Sequence, residues 1–440
     1  MARLPVVDGD EDNWGSILRE FLLVEHDTDG TLKRLNQASG ICPLDSNSLV
    51  PSTNLGLKGG YSAIVYIDGS SIIARDYKGD LISSGTAGTD DANVIQTAWN
   101  EGGKIIIKKA TYKIGTTLNP ISNSHISIEK GTIFQATTGV DIIKVDTKQN
   151  VVIEHLEIDG ASTGLSGILV HESTRCIFVD IYGHDFKEHG FYATSMKHGL
   201  LLHCRMENLG LDESKGQGFG LATSTSEPCE YNTMIDCYVK NPFEYGLSMW
   251  STDPDNIVNR YNTIIGLIVE IPDKGDGGLW ANAAQKNTFV GMIVHGRWDL
   301  TNMTTCVALT SNSGKNDFYG CKLYDGSYRC FHDAGTAGLA NRVIGGEFSA
   351  SEVRVTRGNT KFIEVMGYVT ENEGSATIAN GGTSVTVNHG LVDTPSNIQV
   401  TGTHSEVKDA YATNPGSTSF DIKVDSAVSA DRTVYWKAKI

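Results

Sequence analysis

Two tryptophans, Trp250 and Trp280, are flanked by three acids, Glu244, Asp253 and Asp276. Acids beside aromatic side chains suit glycoside hydrolysis. One carboxyl protonates the leaving oxygen and a second attacks or activates water, at about 5–5.5 Å separation for retention or 6.5–9.5 Å for inversion. The same acids also fit a plainer use as solvated turn residues. A lyase instead needs a base beside a uronic carboxylate and a cation to hold that carboxylate. His184, His189 and Arg260 have the right types for that. More polar and aromatic residues gather in three long segments: Asp212 and Glu213 in 207–217, Asp253, Asp255 and Arg260 in 250–261, and Arg297, Trp298 and Asp299 in 296–304. Loops that project from a rigid scaffold commonly carry function.

Other chemistries lack their residues. The chain holds no phosphate-cradling glycine loop, dinucleotide fingerprint or serine nucleophile elbow, and no cofactor is expected. The 8 cysteines form no CxxC pair and match no zinc spacing. Asp27-x-Asp29-Gly30 lacks the remaining ligands of a calcium loop and reads as a helix stop. No metal is expected. Lys plus Arg total 36 against 52 Asp plus Glu, a net charge of −16. That balance disfavours nucleic acid and electrostatic docking on an anionic bilayer. No apolar run reaches the roughly 18–20 residues of a membrane helix, and no cationic segment followed by an apolar one opens the chain.

These residues need elements to hold them. With 48 Gly and 10 Pro among 440 residues, the composition favours short strands and turns. Eight segments align from Val151, Thr174, Gly199, Asn232, Asn262, Asn287, Asn316 and Asn341, at steps of 23 to 33 residues. Small or apolar residues recur at offsets +2, +5 and +7, where Cys204, Cys237 and Cys321 share a column with Leu267 and Met292. The cysteines therefore read as core. Five successive repeats begin with Asn, which tolerates left-handed backbone and can bond its own kind when stacked. A second strand precedes each segment. Its alternation points Leu247, Met249, Leu279 and Ala281 inward, and Ser248, Trp250, Trp280 and Asn282 outward, with Tyr192 in the same outward row. Outward tryptophan has two uses, stacking on sugar or burial between subunits. Repeats of this length with two or three short strands describe a solenoid, and a parallel β-helix fits best. Adjacent coils lie about 4.8 Å apart, so outward acids one or two coils apart meet the spacing for hydrolysis.

The ends differ. An apolar stripe at Ile17, Leu18, Phe21 and Leu22, capped by Asn13, predicts a helix in residues 1–35. Within 36–87, Ser62–Asp68 and Ser71–Arg75 predict a hairpin. Thr89 is the expected cap of a helix carrying Val94, Ile95, Ala98 and Trp99, lying over the open end of the coil. From 372 to 440 the period is lost. Short strands at 377–378, 383–387, 397–400, 419–424 and 433–437 predict a small antiparallel sandwich.

Residues 88–114, GTDDANVIQTAWNEGGKIIIKKATYKI, resemble the opening of the pectate-lyase-like superfamily, where a Thr-Asp-Asp helix caps the coil and a Gly-Gly turn leads to its first strand. Residues 2–33 resemble an N-terminal segment of tail fibre and tailspike proteins of viruses of bacteria and archaea, and the C-terminal sandwich resembles their terminal domain. The resemblance implies an all-β chain: a right-handed parallel β-helix over 88–371 with an N-terminal capping helix and a small C-terminal antiparallel β-sandwich. It also implies a homotrimeric virion appendage, assembled in the host cytoplasm. Its N-terminus would dock on tail or baseplate proteins and its coil would meet host cell-surface glycan. Some members cleave polysaccharide by hydrolysis or lyase chemistry, and others only bind. Glu244, Asp253 and Asp276 are the candidate catalytic residues. Tyr192, Trp250, Trp280, Asn282, Trp298 and Arg260 are the candidate binding residues. Gly183-His184-Asp185 is similar to the Gly-His-Gly of pectin-type hydrolases, but their Asn-Thr-Asp, Asp-Asp and Arg-Ile-Lys motifs are missing. The calcium-binding Asp set and catalytic Arg of pectate lyases do not map either. Recognition of host-surface glycan is the favoured expectation, with cleavage of that glycan as the first alternative and a structural spacer as the second.

Overall fold

A computed structural model describes residues 60–440, apart from 212–214, 225–226, 256–257, 272–274, 297–304, 325–328, 336–338, 350–352, 356–359 and 367. The expected helix within 1–35 and the candidates Asp212, Glu213, Arg297, Trp298 and Asp299 lie outside the described residues.

Each coil is built from three short strands. On the first face, Ile177–Val179, Leu200–Leu202, Thr233–Ile235, Thr263–Ile265 and their successors pair in parallel without slippage. The second face carries the run from Tyr182–Phe186 to Glu347–Ser349. The third is a nine-stranded parallel sheet from Ile143–Asp146 to Val353–Val355. The fold is a right-handed parallel β-helix of about nine turns. Parallel sheets satisfy their backbone only coil to coil, so every strand depends on the one above and the one below.

Inward residues form one continuous column. Phe178, Phe191 and Phe219 lie in it, as do Phe289, Phe318 and Phe331, with Phe289 and Phe318 stacked at 4.6 Å. Cys176, Cys204, Cys229, Cys237, Cys306, Cys321 and Cys330 are free and buried, as the core reading requires.

The asparagine column is a hydrogen-bonded ladder. The Asn232 amide donates to Asn262 Oδ1 at 2.9 Å, Asn262 to Asn287 at 3.0 Å, Asn287 to Asn316 at 3.0 Å and Asn316 to Asn341 at 3.1 Å. All five are buried. The left-handed backbone, however, belongs to the residue before each of the first four: Tyr231, Tyr261, Lys286 and Lys315 have φ of 56–58°. The corner bends one residue earlier than expected. That leaves the Asn side chain free to point inward and meet its neighbours.

The helix α1 (Asp91–Trp99) caps the open end with Val94, Ile95, Ala98 and Trp99 buried. Its N-cap is Asp90, not Thr89. The Asp90 carboxylate accepts the Thr86 N–H at 2.8 Å, and buried Asp91 accepts the N–H groups of Gly88 (2.8 Å) and Lys113 (2.7 Å). The acids thus tie the cap to the preceding turn and to the coil below. Ala63–Asp68 and Ser71–Asp76 form the expected hairpin, and Leu81–Thr86 adds a third strand. Ala63–Asp68 also pairs in parallel with Gly103–Ile107, so the hairpin continues the sheet of the coil. At the C-terminus two three-stranded antiparallel sheets enclose Ile378, Phe420, Val434 and Trp436. Tyr411–Thr413 is a strand there that the sequence pattern did not show.

Candidate functional site

A groove of about 540 Å³ runs along the third face. Its floor is the outward row of the third-strand sheet. Leu169, Tyr192, Gly220, Ser248 and Trp280 are successive register partners in that row. Its wall is the turn that enters each third strand, which contributes Asp141, Ser166, Glu188, His189, Lys215, Gln217 and Glu244.

The aromatic residues are locked together. Trp250 Nε1 donates to the Tyr192 hydroxyl at 2.6 Å across two coils. Gly220 makes this possible. A Cβ there would meet the Tyr192 ring at 2.2 Å, so the ring lies flat over the glycine. His189 stacks on Tyr192 at 4.6 Å and accepts the Gln217 N–H through Nδ1 at 3.3 Å. Trp280 stacks on Tyr245 at 5.4 Å. Both tryptophans are half-buried, so each keeps an open side.

The acids follow the coil. Glu244 accepts the Gln217 side-chain amide at 3.2 Å and the Gly216 N–H at 3.3 Å, while the fully buried Ser248 hydroxyl bonds Gln217 Oε1. One coil further, the Asp276 N–H donates to the Glu244 carbonyl at 2.6 Å. Asp276 stands on the exposed rim. Its partial burial, with the Glu244 charge beside it, pushes its carboxyl above the ordinary value. The two acids together with burial push the Tyr245 phenol up to about 12, burial being the largest cause. At the other end, burial and then the Glu188 charge raise the Asp141 carboxyl. Lys215 Nζ lies 3.1 Å from Glu188.

The fold therefore brings Glu244, Tyr192, Trp250 and Trp280 to one groove and places Asp276 on its rim. Two sequence candidates belong elsewhere. Asp253 follows the strand Tyr245–Trp250 while Glu244 precedes it, and six residues at ~3.3 Å each hold the two about 20 Å apart. The Asp253 N–H is taken by Ser251 Oγ at 3.1 Å. Arg260 bonds Glu230 at 2.9 Å and lies 5.7 Å from the Tyr261 ring centre, at the corner beyond the third strand. Asn282 sits outward as expected but does not line the groove. The sequence reading missed Asp141, Glu188, Lys215 and Gln217, which occupy turns whose lengths vary from coil to coil. The one signal for them was the long segment 207–217.

His184 forms a second constellation on the second face. Nδ1 bonds Asp185 at 2.8 Å and Nε2 lies 3.4 Å from Glu157. Burial alone would lower its pKa, but the bonds to Asp185 and Glu157 outweigh it and the ring's pKa is raised. Asp159, His184 and Asp185 present ligand atoms within 4.8 Å of one another, the one such group among the described residues. Asp159 also accepts Gln135 and Ala161, at 2.6 and 2.7 Å, and Asp185 accepts Asn208 at 3.0 Å. The set is satisfied without an ion.

A family model described as the right handed beta helix region matches residues 99–264. The same fold recurs in solved structures. A Geobacillus virus E2 protein, ORF18, aligns with a TM-score of 0.51 and 14% identity, over 78% of this chain and 75% of that one. An endo-xylogalacturonan hydrolase of Aspergillus tubingensis aligns at 0.44 and 11%, over 64% and 90%. The tailspike gp49 of Pseudomonas phage LKA1 aligns at 0.34 and 10%, over 77% and 66%. At 14% identity the likeness to ORF18 is one of fold. No curated protein matches the chain, and among the described residues no helix is long and apolar enough to cross a membrane.

Proposed function

We propose that the chain is a glycan-degrading subunit of a viral tail appendage, a glycoside hydrolase that holds host-surface polysaccharide in the third-face groove. The observation that carries this is the pairing of Asp276 with Glu244, whose backbones bond at 2.6 Å beside the aromatic floor that Glu244 lines. Burial, and then the Glu244 charge, shift Asp276 towards its protonated form, which is the state a general acid needs. Asp276 gives its proton to the glycosidic oxygen as the C–O bond breaks. Glu244, anchored by Gln217 and Gly216, serves the anomeric carbon or the attacking water. The backbones of the pair are one coil step apart, about 4.8 Å, and the anomeric configuration of the product tells retention from inversion. Lyase chemistry fits less well, because Lys215 is paired with Glu188 and the Gln217 N–H occupies Nδ1 of His189. Support for the tail role comes from the resemblance of residues 2–33 and of the C-terminal sandwich to tail fibres.

The test is incubation of the protein with polysaccharides from candidate hosts, followed by size-exclusion chromatography of the glycan. Shortening without the ultraviolet absorbance of an unsaturated uronate supports hydrolysis. An unchanged glycan sinks the hydrolase. Retained cell binding would then favour a purely adhesive groove, a reading that the rigid Trp250–Tyr192 and Tyr245–Trp280 pairs also suit.

We infer a homotrimer as well. The outward row of the first face is apolar in coil after coil: Leu202, Ile235, Ile265, Val290, Tyr319 and Ile344 are successive register partners. Ile265 and Val290 are each 37% exposed. An apolar stripe parallel to the solenoid axis suits three copies packed side by side around a threefold axis parallel to it. The tryptophan groove, on another face, would stay open to glycan.

A further inference from the structure

The charge along the groove narrows its substrate. Asp141, Glu188 and Glu244 line it, and Asp276 stands on the rim. Among the described residues that line it, two have cationic potential. Lys215 Nζ is 3.1 Å from Glu188 and is neutralised there. His189 is buried and accepts a hydrogen bond at Nδ1, so its ring is neutral in this arrangement. The other polar groups of the lining are uncharged: the Ser166 and Tyr192 hydroxyls, the indole N–H groups and the amide of Gln217, which is bonded to Glu244 and Ser248. The groove is thus a strip of negative potential with an aromatic floor, in a chain of net charge −16. The acids are already crowded: burial and the Glu188 charge raise Asp141, and burial and the Glu244 charge raise Asp276.

The groove is also long. Asp141, Leu169, Tyr192, Gln217, Trp250 and Trp280 come from successive coils. Five coil steps at ~4.8 Å give about 24 Å along the axis, room for several sugars rather than one. A polyuronate laid in that strip would set its carboxylates against Asp141, Glu188 and Glu244, in a cleft whose low-dielectric walls strengthen the repulsion.

We propose that the groove takes an internal stretch of a glycan built from neutral or amino sugars, and excludes repeats that carry uronate, sulfate or phosphate. Aromatic faces hold neutral sugar rings by stacking, and the wall acids accept hydrogen bonds from hydroxyl or ammonium groups. This rests on the reading of the groove as a glycan site.

The full chain is applied to an array of bacterial polysaccharides of known repeat, covering neutral, amino-sugar, uronate-bearing and phosphate-bearing members. Retention should be confined to the neutral and amino-sugar repeats and fall at least tenfold in Trp280→Ala. The Asp141→Asn/Glu188→Gln double variant, which removes two groove charges without touching the aromatic floor, should gain at least tenfold for uronate-bearing repeats. Wild-type retention of uronate-bearing repeats that Trp280→Ala abolishes would leave the groove standing as a glycan site and overturn the substrate class. If no glycan is retained, or if retention ignores Trp280→Ala, the groove reading itself falls and this proposal with it.

Discussion

At the scale of single residues, the proposed chemistry depends on Asp276 remaining protonated. Asp276→Asn should cut hydrolysis by about 10²–10⁴-fold while leaving glycan retention within a factor of a few, measured by reducing-end release. A general acid works below its pKa. Activity in the wild type should therefore persist above the ordinary carboxylate range and be lost as pH rises through the raised Asp276 value. In Glu244→Gln the like charge is gone, and a carboxyl titration followed by NMR should show Asp276 falling towards its usual value, though not fully, since burial is the larger cause. Glu406 in the C-terminal unit behaves in the opposite sense. Its hydrogen bond from Ser429, and then the one from Arg432, lower its pKa from 4.5 to about 2. Its contribution to stability is present above 4.5 and is lost as pH falls towards 2. Thermal melts of Glu406→Gln and wild type should differ at neutral pH and converge near pH 2. The alternation of the third strands made Tyr192, Trp250 and Trp280 legible as outward residues in the sequence. Asp141, Glu188 and Gln217 were not legible, because they sit in turns that have no period.

At the scale of elements, the buried asparagine ladder makes neighbouring coils interdependent. Asn287 accepts from the Asn262 N–H and side-chain amide, at 2.9 and 3.0 Å, and donates to Asn316 and to the Asn259 carbonyl. Asn287→Ala would leave several buried groups unpaired. At roughly 1–3 kcal/mol for an unsatisfied group, a marked drop in melting temperature is expected, and calorimetry would show it. The glycines split into two kinds. Gly220→Ala would push the Tyr192 ring off its seat and break its bond to Trp250, weakening glycan retention. Gly291, at φ 62°, faces open space in a corner column where His203 and Asp236 already adopt φ near 50°. Gly291→Asn should leave the melting temperature within a degree or two. The repeated Asn announced the ladder in the sequence. Which residue turns left-handed did not show, since backbone angle follows from how the next side chain packs.

At the scale of the whole molecule, the apolar first face and the acidic third face divide the labour proposed for the chain. Ile265→Asp together with Val290→Asp should convert a trimer to monomer in light scattering while the melting of the coil changes little, because both side chains point outward. A wild type that is already monomeric would sink the trimer. The solenoid, the inward column, the capping helix and the identity of the outward aromatics are legible in the chain's residues, because these follow from local period and turn chemistry. Which acids meet is a matter of how the coils stack. Glu244 and Asp276 are 32 positions apart in the chain and become neighbours through the coil register. Asp253, nine positions from Glu244, is carried away by one extended strand. Contact across coils depends on the length of every intervening turn, and no local pattern records that sum.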